Sequence, residues 1–316
     1  MTDHRIALVL GATGGIGGEM ARRLAAGGWR VKALTRHTNL LQNGDIEWIR
    51  GDAMVAADVA RAAQGTSLIV HAVNPPGYRD WDTLVMPMLE NTIAAARREN
   101  ARILLPGTVY NYGPDVAAEV DEDAPQNPAT RKGAIRAAME RRLHDVSEDG
   151  VRSLIVRAGD FFGPRAANNW FSQGLVKPDT AVAAVSYPGA RGIGHQWAYL
   201  PDLAEAMTRL VSMEDRLRPF ERVHMAGHWD PDGSRMIDAI RAATGRADLP
   251  ARRFPWWLVT LASPFVVTFR EMREMRYLWH TPLRLTNARM RELLGEEPHT
   301  PWNEAVSTAL QGIGAR

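Results

Sequence analysis

The feature that most narrows the fold lies at residues 6–18. Ile6 to Leu10 is a short apolar run leading into Gly11-Ala12-Thr13-Gly14-Gly15-Ile16-Gly17-Gly18, and from about Ile16 to Ala26 the chain reads as a helix. Glycines at 11, 14 and 17, between a strand and a helix, are more than a plain tight turn requires. Such a turn aims backbone N–H groups and the positive end of a helix at one point, an arrangement suited to a pyrophosphate. Gly11 is expected to permit the tight turn, Gly14 the close approach of backbone to ligand, and Gly17 the packing of helix on strand.

The strand–helix alternation continues through the first half of the chain. Val31–Thr35, Ile46–Arg50, Ser67–Ala72, Arg102–Leu105 and Arg152–Arg157 read as strands, and Asp80–Asn100 and Ala129–Ser147 as helices. Apolar runs of four to six residues alternating with helices predict a parallel sheet covered on both faces. The fold class is therefore α/β, a Rossmann-type doubly wound parallel sheet with a smaller mixed C-terminal cap. Residues 1–163 form the first domain, and about 197–226 (helix Pro201–Ser212, strand Glu221–Met225) return to it. Residues 164–196 and 227–316, irregular and rich in tryptophan, are expected to form the cap.

Charge and composition remove several partner classes. Lys plus Arg number 38 against 36 Asp plus Glu, a net charge of +2 with no basic block, so nucleic acid is not an expected partner. The chain has no cysteine, which excludes disulfides and thiolate chemistry. No metal site is expected: His224 and His228 are four apart but fall on a strand-to-loop transition. The first residues run directly into an apolar strand instead of a secretory signal, so a cytoplasmic location is expected. The longest apolar stretch, Trp256 to Phe269, is too short to span a bilayer, and no membrane partner is expected. That stretch suits a membrane-surface contact or a subunit interface, though such segments more often wall a pocket or complete a core. The expected partner is a small-molecule substrate, with monomer and homodimer both open.

A site that prefers NAD carries an acid about 20 residues beyond the glycine loop, to accept from the ribose 2′-OH. Here the second strand ends Thr35-Arg36-His37. Arg36 stands where a 2′-phosphate would sit, with Thr35 as a hydroxyl donor, so NADP is favoured and NAD is possible.

The loop, Gly51-Asp52, His71-Ala72-Val73-Asn74-Pro75, Val109-Tyr110-Asn111-Tyr112-Gly113-Pro114, Phe161-Phe162-Gly163-Pro164 and Tyr199-Leu200-Pro201-Asp202-Leu203-Ala204 together resemble the extended short-chain dehydrogenase/reductase superfamily, of the NAD-dependent epimerase/dehydratase type. The resemblance covers nearly the whole chain. It implies that Gly11, Thr13, Gly14, Gly15, Ile16 and Gly17 hold the dinucleotide phosphates and that Asp52 contacts the adenine. It also implies that Ala72 and Val73 line the ribose and pyrophosphate and that Asn74-Pro75-Pro76-Gly77-Tyr78 borders the nicotinamide, its prolines being as well explained by a rigid turn. Asp52 has a structural alternative as a helix N-cap.

The pattern breaks at the helix after the fifth strand. Superfamily members carry Tyr-x-x-x-Lys there, with a Ser or Thr at the strand end. Thr108 falls on the Ser/Thr position, but Lys132 stands in place of the tyrosine and Arg136 in place of the lysine. The chain is thus similar to atypical members, and its Lys-x-x-x-Arg-x-x-x-Glu run resembles isoflavone-reductase-like and NmrA-like proteins. In the reductases of that group a lysine at this place is the proposed acid/base. Ile135, Met139, Leu143 and Val146 form the helix's apolar stripe, and Lys132 lies one turn before it on nearly the same face. Lys132 is expected to contact the nicotinamide ribose and to serve as proton donor, with Thr108 orienting the reacting oxygen. Tyr112 is a loop phenol that could substitute as an acid, although loop tyrosines are more often packing residues. The expected activity is NADPH-dependent reduction of a small carbonyl or enone. The rivals are a non-catalytic NADP(H)-sensing regulator and, weakened by the missing tyrosine, a nucleotide-sugar epimerase or dehydratase.

Overall fold

The computed structural model describes residues 5–37, 44–75, 80–166 and 169–315. In chain order the elements are β1 (Ile6–Leu10), α1 (Gly15–Ala26), β2 (Arg30–Thr35), β3 (Ile46–Arg50), α2 (Ala56–Ala62), β4 (Leu68–His71), α3 (Trp81–Glu99) and β5 (Arg102–Thr108). Then come β6 (Glu119–Val120), α4 (Arg131–Ser147), β7 (Ser153–Ala158), β8 (Asp160–Phe162), β9 (Val185–Tyr187), β10 (His195–Tyr199), α5 (Leu200–Val211) and β11 (Phe220–His224). The remainder holds β12 (His228–Asp230), α6 (Ser234–Thr244), β13 (Ala251–Arg253), α7 (Trp256–Ala262), α8 (Val267–Glu274), β14 (Arg284–Leu285), α9 (Ala288–Leu294) and α10 (Trp302–Gly312). The chain divides into two units. Unit 1 comprises Met1–Gly107, Ala134–Arg157 and Ala204–Val223; unit 2 comprises Thr108–Gly133, Ala158–Leu203 and His224–Arg316.

Unit 1 is built on a seven-stranded sheet in the order β3-β2-β1-β4-β5-β7-β11. β1 pairs parallel with β2 on one side (Val9 opposite Ala33) and with β4 on the other (Val9 opposite Val70). Winding therefore reverses between β1 and β4, the switch point outside which α/β sheets bind ligands. The expected doubly wound sheet is present. Its strands read as continuous apolar runs because both faces are covered. On one face Leu8, Leu10, Ile69, Ile103, Leu105 and Ile155 pack with Val85, Leu89 and Ile93 of α3. Met139, Leu143 and Val146 of α4 join this core, with Ile135 partly buried at its margin, as the helical spacing predicts. β5 continues to Thr108 although Pro106-Gly107 reads as a stop, and α2, only seven residues long, escapes a periodicity reading.

Unit 2 has no comparable sheet. β12-β10-β8 form a three-stranded sheet, and β13-β9 and β14-β6 are two-stranded pairs. Strands of two to five residues supply little backbone pairing, so buried side chains take up the loop N–H and C=O groups instead. The Gln196 amide donates to the Ala226 and Leu285 carbonyls and accepts from the Leu285 N–H. Glu297 accepts from the Ala226 and Gly227 N–H groups, and Asp202 from the N–H and hydroxyl of Thr300. The core is aromatic: Phe162, Phe171, Trp197, Tyr199, Trp256 and Trp279 pack with residues of α6 and α10. Trp256 and Val259 of α7 join it, whereas Trp257, Leu258 and Leu261 on the same helix are exposed. The Trp256–Phe269 stretch completes the core with only one of its faces.

Candidate active site

The glycine loop leaves β1 at the switch point of unit 1 and enters α1. Gly11 has φ +88°, and a Cβ there would stand 2.5 Å from the Ala72 carbonyl oxygen. A Cβ on Gly17 would stand 2.2 Å from the Gly11 carbonyl oxygen. Neither position has room for a side chain, which brings the start of α1 against the end of β4 as the sequence predicts. The N-cap is Gly14, no side chain caps the helix, and its first turn carries no carboxylate. The first N–H groups, at Gly15 and Ile16, are thus left without a side-chain acceptor beside the exposed Thr13 and Gly14. This cradle fits an anionic group.

Arg36, at the end of β2, is solvent-exposed, and its Nη1 lies 4.0 Å from Asp52 Oδ2. Asp52 Oδ1 accepts from the Met54 N–H, and the Asp52 N–H donates to Asp58. Asp52 therefore stabilises a turn and does not cap α2, whose N-cap is Val55. The Thr35 hydroxyl is buried and accepts from the His37 N–H. Arg36 is thus a cation held at the strand end with one carboxylate oxygen for company.

At the C-terminal end of β4, Ala72 and Val73 are half-buried and Asn74 is exposed. Pro76, Gly77 and Tyr78 lie outside the described residues. The Arg136 guanidinium donates to Asn74 Oδ1 at 2.9 Å and lies over the Trp81 ring at 5.3 Å. Arg136 occupies the place of the family's lysine. From the sequence it is expected, with Arg131, to lower the Lys132 pKa. Of the two, only Arg131 is among the charges that lower it, and Arg136 is engaged by Asn74. His71 is fully buried, and burial followed by the Arg136 charge pushes its pKa down to about 3. Thr92 donates its hydroxyl to the Met88 carbonyl, so His71 Nδ1, 2.8 Å away, is the donor to Thr92 Oγ1.

Thr108, Tyr112 and Lys132 all belong to unit 2. Thr108 precedes a short 3-10 turn (Val109–Asn111) and accepts from the Tyr110 N–H at 3.4 Å. Tyr112 is completely buried; its phenol is 3.3 Å from His224 Nε2, and its carbonyl accepts from the Tyr277 hydroxyl. Thr130 begins α4 by accepting from the Gly133 N–H, which brings Lys132 into the first helical turn. Lys132 is 3% exposed, and its Nζ is 2.9 Å from Glu271 Oε2 of α8. Arg131 donates to the other oxygen of the same carboxylate at 3.1 Å. Burial lowers the Lys132 pKa, and the Glu271 hydrogen bond and charge work against that shift. Glu271 is the partner that sequence reading missed, because nothing in the helical spacing of residues 271–278 marks which carboxylate will meet a lysine far earlier in the chain.

The two histidines of the strand-to-loop transition are used locally. His224 Nδ1 is 3.3 Å from the Val120 carbonyl, and His228 Nε2 is 2.7 Å from the Thr300 carbonyl. Among the described residues no group of three or more His, Asp or Glu side chains is placed to hold a metal ion.

A model of the NAD dependent epimerase/dehydratase family matches residues 7–226. No curated protein matches. Among solved structures, a UDP-glucuronic acid 4-epimerase from Bacillus cereus, in complex with UDP-glucuronic acid and NAD, superposes with a TM-score of 0.75 at 15% identity over 98% of each chain. The Bordetella bronchiseptica enzyme WbmH in complex with NAD+ superposes with a TM-score of 0.71 at 19% identity, again over 98% of each chain. A UDP-galactose 4-epimerase gives 0.70 at 17% identity and the same coverage. At these identities the structural likeness speaks for the fold.

Proposed function

The chain belongs to the NAD dependent epimerase/dehydratase family, and on that premise we propose that it binds NADP(H) on unit 1 and transfers hydride reversibly at a carbinol or carbonyl carbon of a small substrate. The observation that carries this reading is the glycine cradle at the switch point, where Gly11 and Gly17 leave no room for side chains and α1 opens without a carboxylate. Arg36 at the β2 end, in place of an acid, supports NADP over NAD. The family match weighs toward epimerase- or dehydratase-type chemistry, which begins by oxidising a carbinol, and away from the one-way reduction of a carbonyl or enone expected from the sequence. Two of the solved structures named above are complexes with NAD, and one of these also holds UDP-glucuronic acid.

When bound, the dinucleotide supplies the hydride acceptor or donor. The chain's residues hold it and manage the proton. Gly15, Ile16 and Gly17 offer N–H groups to its phosphates, and Arg36 a charge to a 2′-phosphate. Ala72 and Val73 line the ribose and pyrophosphate, and Asn74, fixed by Arg136, borders the nicotinamide end. Lys132 takes the proton role left by the missing tyrosine: burial makes its neutral form accessible, and Glu271 stabilises the ammonium that forms when Nζ accepts a hydroxyl proton. Arg131, donating to the other oxygen of the Glu271 carboxylate, orients it, and Thr108 orients the substrate oxygen. Tyr112, buried against His224, is assigned to packing.

The test is Lys132→Met, assayed for NADPH oxidation against carbonyls and enones and for UDP-hexose interconversion. Turnover should fall by about 100-fold or more, the scale of a lost general acid/base, with dinucleotide affinity retained. Unchanged turnover would remove Lys132 from the chemistry. A second reading, cofactor sensing without turnover, draws on the same ion pair, since Lys132 already holds a carboxylate. Saturable NADPH binding with no turnover on any of these substrates favours it.

A further inference from the structure

From Leu249 to Arg270 the chain carries three arginines and no carboxylate. α7 and α8 pack against each other in this region, joined by Ser263-Pro264-Phe265-Val266. One face of α7 is buried through Trp256 and Val259, while Trp257 is 68% exposed, Leu261 69% and Phe265, on the connecting turn, 88%. Leu258 and Val266 are exposed beside them. Seven large hydrophobic side chains are exposed among the described residues, and five of them fall within the ten residues Trp257–Val266. Scattered exposed apolar residues are ordinary; a cluster on one hairpin is not.

The charges around the hairpin are sorted by sign. Arg270 donates to the Pro264 carbonyl at 3.2 Å and Arg273 to the Ser263 hydroxyl at 3.1 Å, so two guanidinium groups sit at the base of the apolar tip. Arg252 and Arg253 are exposed immediately before α7, and Arg276 lies over the Trp256 ring. The carboxylates of α8 turn inward. Glu271 is 4% exposed and taken by Lys132 and Arg131, and Glu274 buries its Oε2. Cations face out with the apolar side chains, and anions face in.

We infer that the α7–α8 hairpin docks on the surface of an anionic lipid bilayer. Trp257, Leu261 and Phe265 would enter the headgroup–acyl boundary while the surrounding arginines meet lipid phosphates. An exposed apolar face with a basic rim and an aromatic ring at interfacial depth is the pattern of an element that lies on a membrane. It does not cross: among the described residues no helix is long and apolar enough to span. This narrows the expectation of no membrane partner to spanning segments alone. A second copy of the chain suits the face poorly. A stable dimer takes roughly 20–30 residues a side, against five side chains here. The inference does not depend on the dinucleotide reading.

The test is co-sedimentation of the full-length protein with vesicles of phosphatidylcholine alone and of phosphatidylcholine with phosphatidylglycerol. The protein should pellet with the anionic vesicles and about ten-fold less with the neutral ones or at high salt, as electrostatic attraction combined with apolar insertion requires. The double variant Leu261→Ser/Phe265→Ser, with circular dichroism and thermal unfolding midpoint unchanged as a check of its fold, should lose pelleting. Arg252→Glu/Arg253→Glu should lose only the preference for anionic lipid. The inference fails if the wild type stays in the supernatant with both vesicles, or if the Leu261/Phe265 variant pellets like the wild type. It also fails if the wild type is a dimer that this variant converts to monomer without any vesicle binding, since the face then belongs to a second copy.

Discussion

The two units bury polar groups by different means. Unit 1 places its buried charges in matched pairs. Arg157, wholly inaccessible, is held by Glu140, and Arg102 spans Glu214 and the Ser153 and Arg218 carbonyls. Unit 2 has such pairs too, among them His195 with Asp160. Both units also bury polar atoms with no partner among the described residues: His71 Nε2 and Ser153 Oγ in unit 1, and in unit 2 atoms carried by the large rings of its core, the Tyr187 hydroxyl and the Trp197 and Trp279 indole nitrogens. A parallel sheet satisfies its backbone through its own ladder and leaves a few side chains to pair at strand ends. A core assembled from short strands and large rings packs by shape, and its polar atoms are left over unless water or a ligand meets them. Unit 1 should therefore be sensitive to losing a charge, and unit 2 to losing a ring but hardly to losing a hydroxyl.

The largest effect expected under this contrast is Glu140→Ala, which removes the carboxylate that holds the buried Arg157 guanidinium in the unit 1 core. It should cost about 3–5 kcal/mol, read by urea unfolding, and a loss under 1 kcal/mol would break the contrast on the unit 1 side. Acid comes next and touches both units. His71 in unit 1 is pushed down to about 3 and His228 in unit 2 to about 4, each chiefly by burial. Both folded values lie below the unfolded value of 6.5. The unfolded chain therefore binds protons that the native state refuses, and the stability present above pH 6.5 is lost as pH falls. Each histidine should contribute a slope of about 1.4 kcal/mol per pH unit near pH 5. His71→Leu, which leaves Thr92 its bond to the Met88 carbonyl, should flatten that limb, and an unchanged slope would locate the acid sensitivity elsewhere.

The smallest effect is Tyr187→Phe in unit 2. Burial and the charges of Asp230, Asp232 and Asp160 already hold this phenol in its neutral form. With no partner among the described residues to lose, the hydroxyl can be removed for about 0.5 kcal/mol or less. A cost of several kcal/mol in thermal or urea unfolding would mean the phenol is satisfied after all and would erase the contrast from the unit 2 side.

Legibility in the sequence divides along the same line. Ile6–Leu10 and Ile46–Arg50 are readable to the residue, and the Met139-Leu143-Val146 stripe of α4 packs as its spacing predicts, because apolar runs and helical period are local properties. The two- and three-residue strands of unit 2 are too short to show a period. The apolar letters of Trp256–Phe269 do not reveal that half of them face outward. The glycine cradle is legible because three spaced glycines answer a local steric demand at Gly11 and Gly17. Glu271 on Lys132 and Arg136 on Asn74 are not, since each pairs residues that only the fold brings together.

A nicotinamide dinucleotide bound at the glycine cradle of unit 1 is the premise for every role given to the surrounding residues. The direct measurement is a fluorescence titration of the full-length protein with NADPH and NADH in parallel, the ten tryptophans serving as energy-transfer donors. Saturable binding is predicted for both, tighter for NADPH, with Arg36→Ala weakening NADPH by about ten-fold, the scale of one exposed charge-assisted contact, and sparing NADH. Preference for NADH would contradict the role given to Arg36, and binding of neither would contradict the dinucleotide site itself.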